Sequence, residues 1–258
     1  MPHLHINKAG TGPSKMLLFH GYGQDHTAFN SYIDRLGSLH TFYMIDLFFH
    51  GKSTWGKDEE ALEKSEWKEL IGIILKENQV DSFAVLGFSM GGKFAMATLE
   101  AFPDRVKEII LLAPDGIKTS YWYSLATYPI ALRKLFRSMI SDHKRFLRIA
   151  SGAKRLGLID KGVLRFVETQ MDSEEKRKRV YYSWVVFRHL KFDLDSIAAL
   201  INSHKIKLRL FVGRHDKIIT AQNMQRLTSK VPGAQFEVVE AGHNSLIHKV
   251  IDYLPKSS

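Results

Sequence analysis

The stretch Ser82-Phe83-Ala84-Val85-Leu86-Gly87-Phe88-Ser89-Met90-Gly91-Gly92-Lys93-Phe94-Ala95-Met96-Ala97-Thr98-Leu99 decides the fold. Its first five residues form a short apolar run of the kind that fills a fully buried strand. From Gly92 onward the apolar residues fall at helical spacing. A serine between such a strand and such a helix must occupy a very sharp turn. Gly87 and Gly91 leave room there, because a Cβ would run into the neighbouring strand or helix. The turn would hold the Ser89 hydroxyl clear of the sheet and aim the first helix amides at whatever reacts with it.

The same alternation of strand and helix extends outward in both directions. Upstream, His3–Asn7 alternates as an edge strand, while Lys15–Phe19 and Thr41–Ile45 read as buried strands. Helical patterns run over 27–36 and 59–78. Downstream, strands are expected at Val106–Ala113, Lys207–Gly213 and Gln235–Val239, with a helix between the last two and another starting near Asn244. Buried strands alternating with helices predict an α/β chain with a mostly parallel, doubly wound sheet. Residues 115–203 break the alternation. They carry helical patterns at Ile130–Ile140, Val163–Met171 and Glu174–Leu190 and no convincing buried strand. The reading is a core of 1–114 and 204–258 with an all-helical insertion at 115–203.

Here the residues resemble the nucleophile elbow of the α/β-hydrolase superfamily, G-x-S-x-G, in Gly87-Phe88-Ser89-Met90-Gly91. In that superfamily the order is nucleophile, acid, histidine, and a helical cap is inserted after a middle strand. The resemblance covers 1–114 and 204–258 well; the cap is matched by position and helicity. A serine hydroxyl is a weak nucleophile at neutral pH and needs a base, which needs an orienting acid. Of 12 histidines, His243 in Ala241-Gly242-His243 stands directly after a strand, where the family places its base. The acid is expected at Asp216, in Gly213-Arg214-His215-Asp216. Asp115 is its rival, because some relatives carry the acid after the earlier strand.

His20-Gly21-Tyr22-Gly23 resembles the family's H-G-x-G loop. That implies an oxyanion hole from the main-chain N–H groups of Tyr22 and Met90, with His20 fixing the loop. Asp46-x-x-x-His50-Gly51-x-Ser53 resembles a further family loop whose role is structural. Phe88 and Trp122, with Tyr22 and Met90, are candidate pocket residues by neighbourhood.

A serine nucleophile argues against the family's dehalogenases and epoxide hydrolases, whose nucleophile is a carboxylate. It leaves ester and thioester hydrolysis as the leading expectation, with carbon–carbon bond hydrolysis or acyl transfer on the same triad as the alternative. A non-catalytic receptor or scaffold is the alternative of another class. No metal-ligand set and no dinucleotide-binding motif is visible, so neither metal nor cofactor is expected.

At 258 residues the chain can bury a substantial core, and it has no cysteine for disulfides or thiolate metal sites. Met1–Asn7 lacks a signal-like apolar run and no stretch is long and apolar enough for a membrane span, so a cytoplasmic protein is expected. The net charge is +10, and 115–200 holds 17 Lys/Arg against 9 Asp/Glu, so the rest of the chain carries only +2. This basic run reads as solvated helix faces or as a collar for an acidic substrate, an acidic carrier protein or an anionic surface. The resemblance implies a small-molecule or carrier-bound acyl substrate. The cations are interleaved with core-type residues and no binding module is visible, so nucleic acid is not an expected partner.

Overall fold

The computed structural model describes residues 1–118, 121–142, 145, 148, 152 and 171–254. The chain divides into two compact units. Met1–Gly56, Glu63–Lys118 and Leu190–Ser258 form one, and Lys57–Leu62 with Thr119–His189 form the other.

The first unit is a seven-stranded sheet of β1 (Ile6–Ala9), β2 (Ser14–Phe19), β3 (His40–Ile45), β4 (Phe83–Phe88), β5 (Val106–Leu112), β6 (Lys207–Gly213) and β7 (Gln235–Val239). Their order across the sheet is β1-β3-β2-β4-β5-β6-β7. Only β1 runs antiparallel to its neighbour; every other pairing is parallel. β2 and β4 therefore lie side by side in the middle, and their C-terminal ends carry His20 and Ser89.

Side-chain alternation assigns the two faces. Met16, Leu18, Leu86, Phe88, Ile110 and Leu112 point one way and cluster with α1 (Asn30–Leu36) and α9 (His243–Lys249). The Tyr32 hydroxyl ties these helices by donating to the Ile247 carbonyl at 2.7 Å. On the other face Phe19 meets Trp67 of α2 (Lys64–Glu77) at 5.6 Å and Phe94 of α3 (Gly91–Ala101) at 6.4 Å between ring centroids. Trp67 donates its indole N–H to Thr98 Oγ1 at 3.0 Å, so this large buried ring leaves no polar atom unpaired. Burying such a ring, roughly 150–250 Å² of surface, contributes on the order of 4–6 kcal/mol before ordering costs.

The expected strands are all present, β6 and β7 with the expected bounds and the others with ends moved by at most three residues. β7 is largely exposed, because it is an edge strand paired with β6 alone. The expected helix over 27–36 opens instead as a 3-10 turn, His26–Phe29, held by Thr27 N–H donating to the Asp25 carboxylate at 2.9 Å. α7 (Leu194–Ser203) and α8 (Ala221–Thr228) flank β6 in sequence.

The second unit contains α4 (Tyr121–Thr127), α5 (Ile130–Ser141) and α6 (Glu174–Val186). Phe136 packs on Tyr181 and Trp184 with ring centroids 5.1 and 5.7 Å apart. The pattern expected over 163–171 lies, except for Met171, outside the described residues.

The basic run behaves differently from a free collar. Lys176, Lys178 and Arg179 pair one helical turn back with Asp172, Glu174 and Glu175 at 2.8–3.0 Å. Arg177 is buried and donates to the carbonyls of Ile140 at 2.7 Å and Met171 at 3.0 Å, clamping α5 to α6. Arg137 pairs with Glu59 at 2.8 Å. Much of this charge is structural or locally neutralised. Lys144, Lys154 and Arg155 lie outside the described residues.

Candidate active site

The turn after β4 is as sharp as the sequence demands. Ser89 has φ +49°, in the left-handed region that L-residues enter at a cost of roughly 1–2 kcal/mol. The surrounding backbone holds it there. Ser89 N–H donates to Leu112 O at 2.9 Å, and Ser89 O accepts from Gly92 at 2.9 Å and Asp115 at 2.8 Å. A Cβ on Gly91 would lie 2.0 Å from the carbonyl oxygen of Phe19, so only glycine lets α3 approach β2 this closely.

Ser89 Oγ stands 3.0 Å from His243 Nε2, and His243 Nδ1 stands 2.6 Å from Asp216 Oδ2. Asp216 is buried, and its carboxylate is oriented by a second set of donors. Its other oxygen, Oδ1, accepts the main-chain N–H of Ile218 and Ile219, both at 2.8 Å. A carboxylate can only accept, so Nδ1 carries the ring proton and donates it to Oδ2. Nε2 is left with its lone pair toward the serine hydroxyl. This is the arrangement in which an imidazole can take the proton of an attacking hydroxyl.

Two β-strands set the distance. In the register of β6 and β7, Gly213 lies beside Val239. Beyond it, Arg214 N–H donates to Val239 O at 2.8 Å and His215 N–H to Ala241 O at 3.0 Å. The loop bearing Asp216 is thus stitched to the loop bearing His243. Phe88 is buried, with its ring 5.3 Å from the His243 ring and close beneath Gly21. Asp115 is engaged elsewhere, with Oδ2 2.9 Å from the buried Lys93 ammonium and Oδ1 accepting Gly116 N–H at 2.7 Å.

The His20–Gly23 loop leaves β2 beside the elbow. His20 is fully buried. Leu47 N–H donates to its Nε2 at 3.0 Å, so the proton sits on Nδ1 and is donated to Gly21 O at 2.8 Å. Burial pushes its pKa down to about 4, which keeps this imidazole neutral. Gly21 N–H is held by the Gln24 side chain at 2.9 Å. The Tyr22 ring meets His50 edge-on with centroids 5.3 Å apart. Met90 precedes the first residue of α3, where main-chain N–H groups have no partner within the helix. Trp122 falls within α4, and its side chain lies outside the described residues.

The sequence reading missed the Ile218 and Ile219 amides and the buried Lys93 behind the elbow, and it named Phe88 as a pocket residue without its packing against the His243 ring. Main-chain donors have no sequence signal. Lys93, one turn after Ser89 on an otherwise apolar helix face, was visible as an anomaly. Among the described residues no helix is long and apolar enough to cross a membrane.

A family model described as the alpha/beta hydrolase fold matches residues 16–250. A pimeloyl-acyl-carrier-protein methyl ester esterase of Yersinia enterocolitica is 30% identical over 158 residues, 61% of this chain and 58% of that protein. A 2-hydroxy-6-oxononadienedioate/2-hydroxy-6-oxononatrienedioate hydrolase of Cupriavidus pinatubonensis is 28% identical over 156 residues, 57% of this chain and 52% of that protein. Among solved structures, a thermophilic esterase from Thermogutta terrifontis superposes with a TM-score of 0.70 at 20% identity, covering 98% of this chain and 91% of that one. At that identity the likeness speaks for the fold.

Proposed function

Because the chain belongs to the alpha/beta hydrolase fold family, we propose that it is a serine hydrolase cleaving a carboxylic ester or thioester through an acyl-enzyme on Ser89. The observation that carries this reading is the continuous relay Ser89–His243–Asp216, with its links of 3.0 and 2.6 Å.

Ser89 Oγ attacks the acyl carbon while His243 Nε2 takes the hydroxyl proton. The Asp216 carboxylate stabilises the imidazolium by accepting its Nδ1–H, without itself becoming protonated. The carbonyl oxygen becomes an oxyanion facing the main-chain N–H groups of Tyr22 and Met90, the latter at the positive end of α3. Collapse expels the alcohol or thiol, which receives the proton from His243. Water then gives its proton to His243 as it attacks the acyl-enzyme, and Ser89 leaves reprotonated, releasing the acid. We take the helical stretch expected at 115–203 as the cap insertion of this family, Thr119–His189 being the part of it that lies outside the sheet unit.

The esterase relative in Yersinia supports an acyl ester, small or carrier-borne, as substrate. The cations at 176, 178 and 179 are already paired with carboxylates four residues back, so electrostatic capture of an acidic carrier rests on the remaining cations. The Cupriavidus hydrolase supports a second reading, hydrolysis of a carbon–carbon bond by the same relay.

The test is labelling with a fluorophosphonate probe and turnover of p-nitrophenyl esters of increasing length, wild type against Ser89→Ala. Labelling of the wild type alone is expected, and labelling that persists in the variant overturns the assignment. Turnover of a vinylogous diketo acid without ester turnover would move the reading to carbon–carbon cleavage.

A further inference from the structure

A second polar cluster lies in the sheet unit and takes no part in the relay. His5 precedes β1, His26 opens the 3-10 turn and Asp46 follows β3, so three separate stretches of chain bring them together. Asp46 has no side-chain exposure, while the side chains of His5 and His26 are 26% and 18% exposed.

The carboxylate is held at both oxygens by main-chain amides. Oδ1 accepts from His26 N–H at 2.7 Å and Oδ2 from Lys52 N–H at 2.9 Å. Each oxygen turns its remaining lone pair to an imidazole. His26 Nδ1 lies 2.9 Å from Oδ1 and His5 Nδ1 lies 2.9 Å from Oδ2. Ser53 completes the frame by donating to Asp46 O at 2.6 Å and accepting His5 N–H at 2.8 Å.

We propose that His5, His26 and Asp46 form a binding site for a divalent transition-metal cation of the zinc class. One ligand atom from each residue lies within 4.8 Å of the others. The nitrogen–oxygen spacings are 2.9 Å in the hydrogen-bonded state, and tetrahedral ligands around an ion with bonds of about 2.0–2.1 Å lie about 3.3 Å apart, so loading asks each imidazole to withdraw by only a few tenths of an ångström. Two imidazoles and a carboxylate are a borderline donor set that suits zinc and its neighbours rather than calcium or magnesium. The amides of His26 and Lys52 fix the carboxylate plane from behind, as outer-shell donors do in metal sites.

Loading needs no oxidant. Each imidazole offers the Nδ1 lone pair to the cation and carries its ring proton on Nε2, the proton formerly on Nδ1 leaving through water. The two hydrogen bonds to Asp46 are replaced by bonds to the cation. The sequence carries no motif for this site, because its ligands are about twenty residues apart and depend on β1 pairing with β3.

The test is calorimetric titration of the untagged protein with zinc chloride, wild type against the double variant His5→Asn, His26→Asn. Asparagine places an amide donor where Nδ1 stands, which keeps the bonds to Asp46 but not the metal ligands. We expect one site with a Kd of about 1 μM or tighter in the wild type, weakened at least about 100-fold in the double variant. His243→Ala should retain it, separating this site from zinc captured at the relay. Equal isotherms for wild type and double variant overturn the proposal. A second readout needs no substitution: one equivalent of zinc should shift the His5 and His26 imidazole nitrogen resonances ahead of the other histidines. Shifts confined to the other histidines refute it.

Discussion

The Nε2 atom of His243 lies 3.0 Å from the Oγ atom of Ser89, although 154 residues of chain separate them. The separation is held by the stitched loops after β6 and β7 and by the Phe88 ring, which meets the imidazole at a tilt, 5.3 Å between centroids. His243→Ala therefore removes the proposed base without touching the elbow. Ester turnover should fall by about 10³-fold or more in kcat, with the urea unfolding midpoint little changed. A loss below about tenfold would remove His243 from the mechanism.

Asp216 and Asp115 make opposite predictions. In Asp216→Asn the two amides of Ile218 and Ile219 demand an oxygen at Oδ1, so the new NH₂ must face His243 Nδ1. That forces the ring proton onto Nε2, the tautomer that cannot accept from serine, and kcat should drop by about 10⁴-fold. Asp115→Asn keeps the Gly116 bond but removes the carboxylate charge 2.9 Å from the buried Lys93 ammonium. We expect at most a tenfold loss of kcat and a stability loss of roughly 1–3 kcal/mol, discounted because Asp115 is partly exposed. Stopped-flow turnover and urea melts of the two proteins check both; a reversal would make Asp115 the acid.

These residues also mark what sequence reading reaches. β2, β4, β5 and β6 were legible because a strand buried on both faces carries a run of apolar residues, Met16–Phe19, Phe83–Leu86, Ile109–Leu112 and Leu210–Val212. Ser89, His243 and Asp216 were legible because elbow chemistry fixes their types and their order along the chain. That β7 is a largely exposed edge strand was not legible, since a five-residue run cannot reveal its place across the sheet. The start of the helix near residue 27 was misread because His26 and Thr27 take their partners from Asp46 and Asp25, one of them twenty residues away. The basic run looked like a free surface. Arg177, buried between α5 and α6, shows how little charge count says about exposure.

Gly91 sets the contact between α3 and β2. In Gly91→Ala the new Cβ would meet Phe19 O at 2.0 Å and His20 O at 2.8 Å, both main-chain atoms that cannot rotate away. Relief requires α3 to move off the strand that carries the His20–Gly23 loop. The expected result is a loss of about 3 kcal/mol or more in stability. The folded fraction should also lose kcat more than it gains KM, because Met90 N–H moves with α3. Gly233→Ala is the control. Gly233 has φ +84° with nothing within 4 Å, so only left-handed strain of roughly 1–2 kcal/mol is expected, with turnover per folded molecule intact. Equal kinetic effects of the two substitutions would count against a close-packing role for Gly91.

His20 should make the fold acid-sensitive. Burial lowers its pKa from 6.5 to about 4 in the folded chain, while the unfolded chain keeps the ordinary value. The unfolded state therefore takes up a proton first as pH falls, and stability present above about pH 6.5 is lost progressively down to about pH 4. Between pH 7 and pH 5 this one group should cost roughly 2 kcal/mol. The measurement is urea unfolding at both pH values for the wild type and His20→Gln, whose amide does not titrate. The wild type should lose about 2 kcal/mol more than the variant over that interval. An equal loss in both proteins would mean that His20 is protonated, or water-exposed, in the native state, and the neutral imidazole bridging Leu47 N–H and Gly21 O would have to be abandoned.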